Sequence, residues 1–305
     1  MLHRRHFLSA AAGAAGLTLA GRGFGQAAGP ALVWSPISAD ISLLSGAGEN
    51  IVVTRGNNAL LLIDGGAGAY SSQVLDALQK HLGTRQIETL INTHWHPEQT
   101  GLNAWAGKAG IPIIAHENTR LWLSTRIKLR WQDKTYPPAP PEARPSQTFY
   151  DDYTLKLENE LLVCSHLVQA HTDGDICVKF TRDNVLVAGG VLSSDRWPVI
   201  DWSTAGWIGG MVQGLQSLLD KSDADTLIVP ATGAPVTREE LMAQHAMYVD
   251  IMGQLKIMME KGYGVADVLA ENPSAGYKPD WGSPDLFLAL AFKSFWGHVR
   301  EFDVV

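Results

Sequence analysis

The apolar positions of this chain fall into short runs of two kinds, and their order predicts the architecture. Ile41–Leu44, Ile51–Val53 and Leu60–Ile63 are brief apolar segments separated by glycine and asparagine turns, which predicts three short strands. Asp64-Gly65-Gly66 stops the third. Between Ser71 and Leu82 the pattern changes: Val74, Leu75 and Leu78 recur at helical spacing, with serine available as a cap. Thr89–Asn92 reads as a buried strand that runs straight into Thr93-His94-Trp95-His96-Pro97-Glu98-Gln99-Thr100-Gly101. A helix over Leu102–Ala109 follows, then a strand over Ile113–Ala115 that opens just after Pro112, where a proline is tolerated. Residues 131–147 carry five prolines, which remove donors and fix chain angles. That segment is predicted to lack regular structure, as a lid over a site or as a passive surface loop.

The second half repeats the scheme. Leu161–Val168 and Ile176–Phe180 are β-like runs flanking one turn, and Val185–Ala188 is a further strand stopped by a glycine step. A stretch containing Trp197, Trp202 and Trp207 leads to a helix over Gly210–Leu219 and a last strand, Thr226–Val229, which ends in Pro230-Ala231-Thr232-Gly233. Thr237 with Glu240 makes a capping box for a long helix reaching Lys261, and a final helix spans about Pro284–Val299. Strands in two groups, each followed by helices, predict an α/β fold of two mixed sheets face to face with helices outside. No repeat and no shift in composition divides the chain, so residues 28–305 read as one domain.

Composition narrows what the fold does. Of the 305 residues, 46% are hydrophobic and 18% charged, which is globular and wrong for disorder. Residues 1–27 stand apart: Arg4 and Arg5 precede His6, Phe7 and Leu8, and an Ala/Gly/Leu run leads to small residues near Ala27. This pattern resembles a twin-arginine export signal and implies a periplasmic protein. The run is too short and glycine-rich for a membrane span, so no stable membrane insertion is expected. Removing Arg4, Arg5 and Arg22 takes the formal charge from −7 to −10. An acidic protein is a poor partner for nucleic acid, which needs basic surface. The two cysteines, Cys164 and Cys177, lie on the two runs of the expected hairpin and form no CxxC pair. They are either a cross-strand disulfide, permitted in the periplasm, or two buried thiols.

The chemistry concentrates at His94-x-His96, at the end of a strand. Alternate side chains of an extended segment point the same way, so the two imidazoles can share one ion while Trp95 points elsewhere. Zinc favours nitrogen ligands in a tetrahedron, and a catalytic zinc usually has three protein ligands plus water. His171, in the turn Ala170-His171-Thr172-Asp173-Gly174-Asp175, supplies a third.

Asp64-Gly65-Gly66, Thr93–Gly101, Ala170–Asp175 and Pro230–Gly233 come in the order and approximate spacing of the metallo-β-lactamase superfamily, which the chain resembles over roughly residues 40–235, with C-terminal helices over 236–305. The resemblance implies an αββα four-layer sandwich with metal at one edge of the sheets. It implies that His94, His96 and His171 hold the first metal and that Asp64 braces the metal loop. It also exposes departures. Where the family motif HxHxDH has its second-site aspartate and histidine, this chain has Glu98 and Gln99. Where a bridging aspartate follows a later strand, it has Gly190. Where the last histidine stands, it has Thr232. A glycine has no ligating side chain, and amides and hydroxyls bind zinc weakly, so one zinc ion per chain is expected.

The implied activity is hydrolysis of an ester, thioester, lactone or amide in a small-molecule substrate by one metal-activated water. The alternative is an inactive scaffold that binds a small molecule or a periplasmic partner. Glu98 is open between a base or water-orienting group, an acceptor for an imidazole N–H, and a plain loop carboxylate. His116 is expected in a structural or ligand-supporting place, and Trp197, Asp201 and Trp202 are candidate walls of a substrate pocket. The pattern says nothing of oligomeric state.

Overall fold

A computed structural model describes residues 31–129 and 131–298. The expected export signal, residues 1–27, lies outside them, as does the end of the chain from residue 299. The first sheet has seven strands: β1 (Val33–Pro36), β2 (Ile41–Ala47), β3 (Glu49–Arg55), β4 (Leu60–Ile63), β5 (Ile87–Ile91), β6 (Ile113–His116) and, at the far edge, β9 (Gln147–Phe149). β1 to β4 are antiparallel neighbours, while β4, β5, β6 and β9 run parallel. The second sheet has five strands: β10 (Asp152–Lys156), β11 (Leu161–His166), β12 (Ile176–Phe180), β13 (Val185–Ser193) and β14 (Leu227–Thr232), with only the β13–β14 pair parallel. A small hairpin, β7 (Ile127–Leu129) with β8 (Lys134–Tyr136), stands apart.

Both sheets are mixed, as expected, and strand alternation separates three apolar layers. Leu61 and Ile63 of β4 face Leu162, Ile176 and Val178 in the core between the sheets. Their neighbours Leu60 and Leu62 face outward and are covered by Val74, Leu75 and Leu78 of α1 (Ser71–Leu82) and Ala106 of α2 (Asn103–Lys108). On the far side, Leu186 and Ala188 meet Met211 and Leu215 of α4 (Ile208–Asp220), with Tyr248 of α5 (Arg238–Glu260) and Phe287 of α7 (Asp285–Ser294) in the same layer. This is an αββα sandwich. Each large aliphatic side chain buried this way contributes roughly 1.5–3 kcal/mol. The Thr237–Glu240 capping box opens α5 as the sequence predicts.

Several boundaries differ from expectation. The strand expected to stop at Ala188 continues through Gly189 and Gly190 to Ser193. The glycines do not break it. They shift its register against β14; Gly189 has a φ of +59°, and a Cβ there would lie 2.8 Å from Cβ of Thr93. The proline-rich segment is not wholly irregular either: β8 ends just before its first proline, a helical turn at Pro141–Ala143 starts on one, and β9 begins after the last. The final helix ends at Ser294 and tightens into a 3₁₀ turn over Phe295–Gly297. α3 (Glu117–Leu123) and α6 (Val265–Glu271) complete the helices among the described residues.

The cysteines remain free and buried. Register explains why: Cys164 opposes Val178, and Cys177 opposes Ser165, so an offset of one residue puts the thiols on opposite faces of the sheet. Cys164 lies in the core between the sheets and Cys177 under α4. Among the described residues no helix is long and apolar enough to cross a membrane.

Candidate metal centre

His94 and His96 leave the C-terminal end of β5, and His171 lies in the turn between β11 and β12. The three rings meet edge to face, with centroids 4.7–4.9 Å apart, and one nitrogen from each falls within 4.8 Å of the other two.

The outward nitrogens are each tied down. Nδ1 of His171 lies 2.6 Å from the carbonyl of Val199. A carbonyl only accepts, so Nδ1 carries the proton and Nε2 presents a lone pair. Nε2 of His96 lies 3.2 Å from Oδ2 of Asp201, which leaves the lone pair on Nδ1. Nδ1 of His94 lies 3.0 Å from Oγ1 of Thr93, whose hydroxyl donates to Asp64 at 2.7 Å. The threonine oxygen is then the acceptor for His94, and Nε2 of His94 is buried with no partner in the protein. Nδ1 of His96 and Nε2 of His171 are 2.9 Å apart, two lone pairs aimed at one another. Such an arrangement is repulsive unless a metal ion or a shared proton stands between them. The donor set therefore fits a single nitrogen-ligated ion, and zinc suits three neutral imidazoles.

The electrostatics favour neutral rings at His94 and His171. Burial, reinforced by the neighbouring histidines, pushes His94 well below its usual range and His171 down to about 3. His96 alone is raised: burial opposes its charge, but Asp201 outweighs it. Asp201 in turn is held below the usual carboxylate range, burial being overcome by His96 and by the Thr204 hydroxyl.

Local backbone geometry places these braces. Asp64 adopts a left-handed conformation (φ 64°) after β4, its N–H bonds the carbonyl of Ile91 at 2.7 Å, and its carboxylate takes both the N–H and the hydroxyl of Thr93. Burial pushes its pKa up to about 8, against those two bonds. Asp201 caps a short 3₁₀ turn, Trp202–Thr204, and its N–H bonds the carbonyl of His171 at 2.9 Å. One aspartate thus ties the His171 loop to the ring of His96.

A cavity of about 210 Å³ opens on this cage. His96, His171, Glu98 and Gly190 line it, together with Leu129, Trp131, Tyr136, Leu192 and Trp197. Of the expected site residues, His94, His96 and His171 are brought together, Asp64 braces Thr93, and Glu98 and Trp197 face the cavity. Asp201 is not a cavity wall: it is fully buried behind His96. Trp202 lines a different cavity, with Trp122 and Trp296. His116 is structural, capping α3 through a 3.2 Å bond from Asn118 N–H, donating to the carbonyl of Tyr150 and stacking on His166. Burial and His166 push its pKa down to about 4.

Sequence reading missed Glu49 and Arg196, both on the cavity wall. Glu49 opens β3, immediately after the β2–β3 turn, and accepts a hydrogen bond from the amide nitrogen of Gln99. Burial raises its pKa to about 7, with Glu98 adding to the rise and His96, Arg196 and Gln99 opposing it. Only the topology gives it away: the turn folds onto the loop after β4, where Ala67 N–H bonds the carbonyl of Ala47, and that loop onto the metal loop, where Gly101 N–H bonds the carbonyl of Gly66.

Among known proteins, the sequence profile of the metallo-beta-lactamase superfamily matches residues 45–243. No curated protein matches the chain. Of solved structures, a metallo-beta-lactamase from Pontibacter korlensis aligns with a TM-score of 0.59 at 16% identity, covering 72% of this chain and 100% of its own. The metallo-beta-lactamase DIM-1 gives 0.57 at 15% identity, over 72% of this chain and 97% of its own. A stereoselective inverting sec-alkylsulfatase from Pseudomonas sp. gives 0.65 at 14% identity, over 88% of this chain but only 50% of its own. At such identities the likeness speaks for the fold alone.

Proposed function

This chain belongs to the metallo-beta-lactamase superfamily, and from that premise we propose that it is an exported hydrolase of an ester, thioester, lactone or amide, working with one zinc ion. Three lone-paired imidazole nitrogens converging on one point, one of them buried and otherwise orphaned, carry the reading. His94 Nε2, His96 Nδ1 and His171 Nε2 would hold the ion. The chemistry a bound zinc supplies is Lewis acidity and hydroxide near neutral pH.

The chain's own residues do the rest. Thr93, Asp201 and the Val199 carbonyl fix the three rings, so little reorganisation accompanies the reaction. Glu98 stands on the cavity wall next to the cage, where it accepts and returns a proton or orients the attacking water. Leu129, Leu192, Trp131 and Trp197 hold the substrate's apolar part and exclude bulk water.

What supports a single ion is what stands at three of the four second-site positions. The Gln99 amide nitrogen donates to Glu49, leaving only a neutral amide oxygen, a weak zinc ligand, and Thr232 shares a 2.7 Å hydrogen bond with Ser193. Gly190 packs so closely under His171 that a Cβ there would lie 2.4 Å from Cδ2 of the ring.

The test is metal analysis of purified protein, followed by a panel of esters, thioesters, lactones, amides and β-lactams with and without chelator. One zinc per chain and chelator-sensitive turnover lost in His96→Ala support the reading. Two tightly bound ions overturn the metal count. Stoichiometric zinc with no turnover on any class leaves a binding scaffold instead.

A further inference from the structure

We propose that the metal cavity selects neutral or cationic substrates and rejects anions, with Glu49 as the residue that decides it. The inference rests on the reading of this cavity as the substrate site. Its lining contains two acids, Glu49 and Glu98, and one base, Arg196. The base is already committed: its Nε and one terminal nitrogen bond the two carboxylate oxygens of Asp195 at 3.0 and 3.1 Å, and its side chain is 60% exposed. A paired, solvated guanidinium offers an incoming anion little.

Glu49 is different. The amide of Gln99, the residue that stands where the family pattern has a second-metal histidine, fixes the Glu49 carboxylate at the wall. Asp201 adds a third negative charge behind His96. The two positive charges of one divalent ion would thus face three carboxylates, so the ion's own charge does not reverse the sign of the site. The remaining walls suit a cation: Trp131, Tyr136 and Trp197 present aromatic rings. One of them already carries an ammonium, since Nζ of Lys134 lies 4.6 Å from the centre of the Tyr136 ring, on a residue outside the cavity lining. A quaternary ammonium or uncharged aliphatic group seated among these rings meets two carboxylates. A carboxylate, sulfate or phosphate on the substrate meets them as like charges.

The experiment measures binding first, because binding needs no turnover. Zinc-loaded protein is titrated at low salt and about pH 8 with benzyltrimethylammonium and with benzenesulfonate, following tryptophan fluorescence. The ammonium should bind at least about tenfold more tightly, the preference shrinking in high salt. Glu49→Gln should narrow the ratio to about threefold or less, and Glu98→Gln, which leaves the Gln99–Glu49 bond in place, should narrow it less. Equal or tighter binding of the sulfonate overturns the proposal, as does a ratio that Glu49→Gln leaves unmoved. A second arm compares 4-nitrophenyl esters of matched length with cationic, neutral and anionic acyl ends. A protein that prefers the ammonium yet cleaves no ester sinks the hydrolase reading and keeps this one. A protein that cleaves the anionic ester best does the reverse.

Discussion

Replacing Asp201 by asparagine should loosen the metal site from behind without touching a ligand. Oδ2 of Asp201 accepts from His96 Nε2–H at 3.2 Å and from the Thr204 hydroxyl at 2.7 Å, while Oδ1 accepts from Ser203 N–H at 3.2 Å. Asparagine has one acceptor oxygen for these two places. With its oxygen toward Ser203, its NH₂ faces the proton of His96 Nε2. Two donors then oppose each other, and the imidazole relieves the conflict by moving its proton to Nδ1, the atom aimed at the ion. With its oxygen toward His96, the ring keeps its tautomer but loses the negative charge that makes it basic. Either outcome weakens binding, and losing such an outer partner costs about 10- to 100-fold in metal affinity, or roughly 1.4–2.8 kcal/mol. The assay is competition for zinc against a chromophoric chelator near pH 7, with Thr204→Val as the control that removes a donor from the same carboxylate but leaves His96 paired. Asp201→Asn should lie at least about tenfold below the parent and the control within about threefold. Asparagine binding zinc within a factor of about two of the parent would refute the argument that Asp201 sets the His96 tautomer.

Other expectations follow from the same geometry. Gly190→Asp should not create a second site: the new Cβ would lie 2.4 Å from the His171 ring, so metal content falls below one per chain rather than rising to two, as elemental analysis would show. Glu98→Gln separates the open roles of that residue: a drop in kcat of about 10²- to 10⁴-fold with zinc content unchanged marks proton transfer, and no drop marks a bystander. Metal-free protein should lose stability as pH rises from about 6.5 to 8. Asp64, Glu49 and Asp175, raised by burial to about 8, 7 and 7, bind protons in the folded state that the unfolded chain has already released, and the raised His96 acts in the same direction. His94 and His171, lowered by burial, favour the folded state as pH rises only up to their unfolded pKa near 6.5, so they do not oppose this above it. Unfolding free energies from denaturant titrations at the two pH values should differ by about 3 kcal/mol, and a flat or rising profile would contradict it. Both cysteines should resist thiol reagents in the native state, since burial lifts Cys164 to about 12 and Cys177 to about 11.

The strands of the two sheets were legible wherever burial is one-sided or complete. Leu60–Ile63 and Ile176–Phe180 are apolar runs between turn residues, and both strands occupy those bounds. β10 was not legible: its residues alternate between exposed and half-buried on a sheet edge, so no apolar run marks it. Helix α6 was missed because Val265–Glu271 buries only Val268. The glycine pair was misread as a stop because its role is steric and distant. Gly189 makes room for Thr93, and Gly190 for His171, neither near in sequence. Within the site the split is similar. His94-x-His96 declares itself because its spacing is local, although the pair lies in a bend beyond β5 and not on the extended strand the pattern predicts. Asp201 looked like a pocket wall because its neighbours are tryptophans, and nothing local to it indicates that it caps a turn beneath His96.

The same reasoning explains why the cavity cannot be read from its ligands alone. A metal ligand must match a fixed chemistry, so its residue type is informative at any position. The residues that shape charge around the ion are constrained only in sum. Glu49, from a hairpin turn, and Arg196, paired with its neighbour Asp195, do not resemble site residues in sequence. Gln99 stands where the family pattern has a second-metal histidine, and its amide, a weak ligand, serves instead as a donor that holds Glu49. With Gly190 filled by the His171 ring and Thr232 bonded to Ser193, the replacements leave two uncommitted groups, the Glu98 carboxylate and the buried Gln99 amide oxygen, a weak zinc ligand. One carboxylate and one neutral amide oxygen beside a filled cage make a poor ligand set for a second metal ion, while the carboxylate is a good handle for a proton. That asymmetry, not the mere absence of ligands, makes one ion with protein-held acid–base chemistry the arrangement the residues favour.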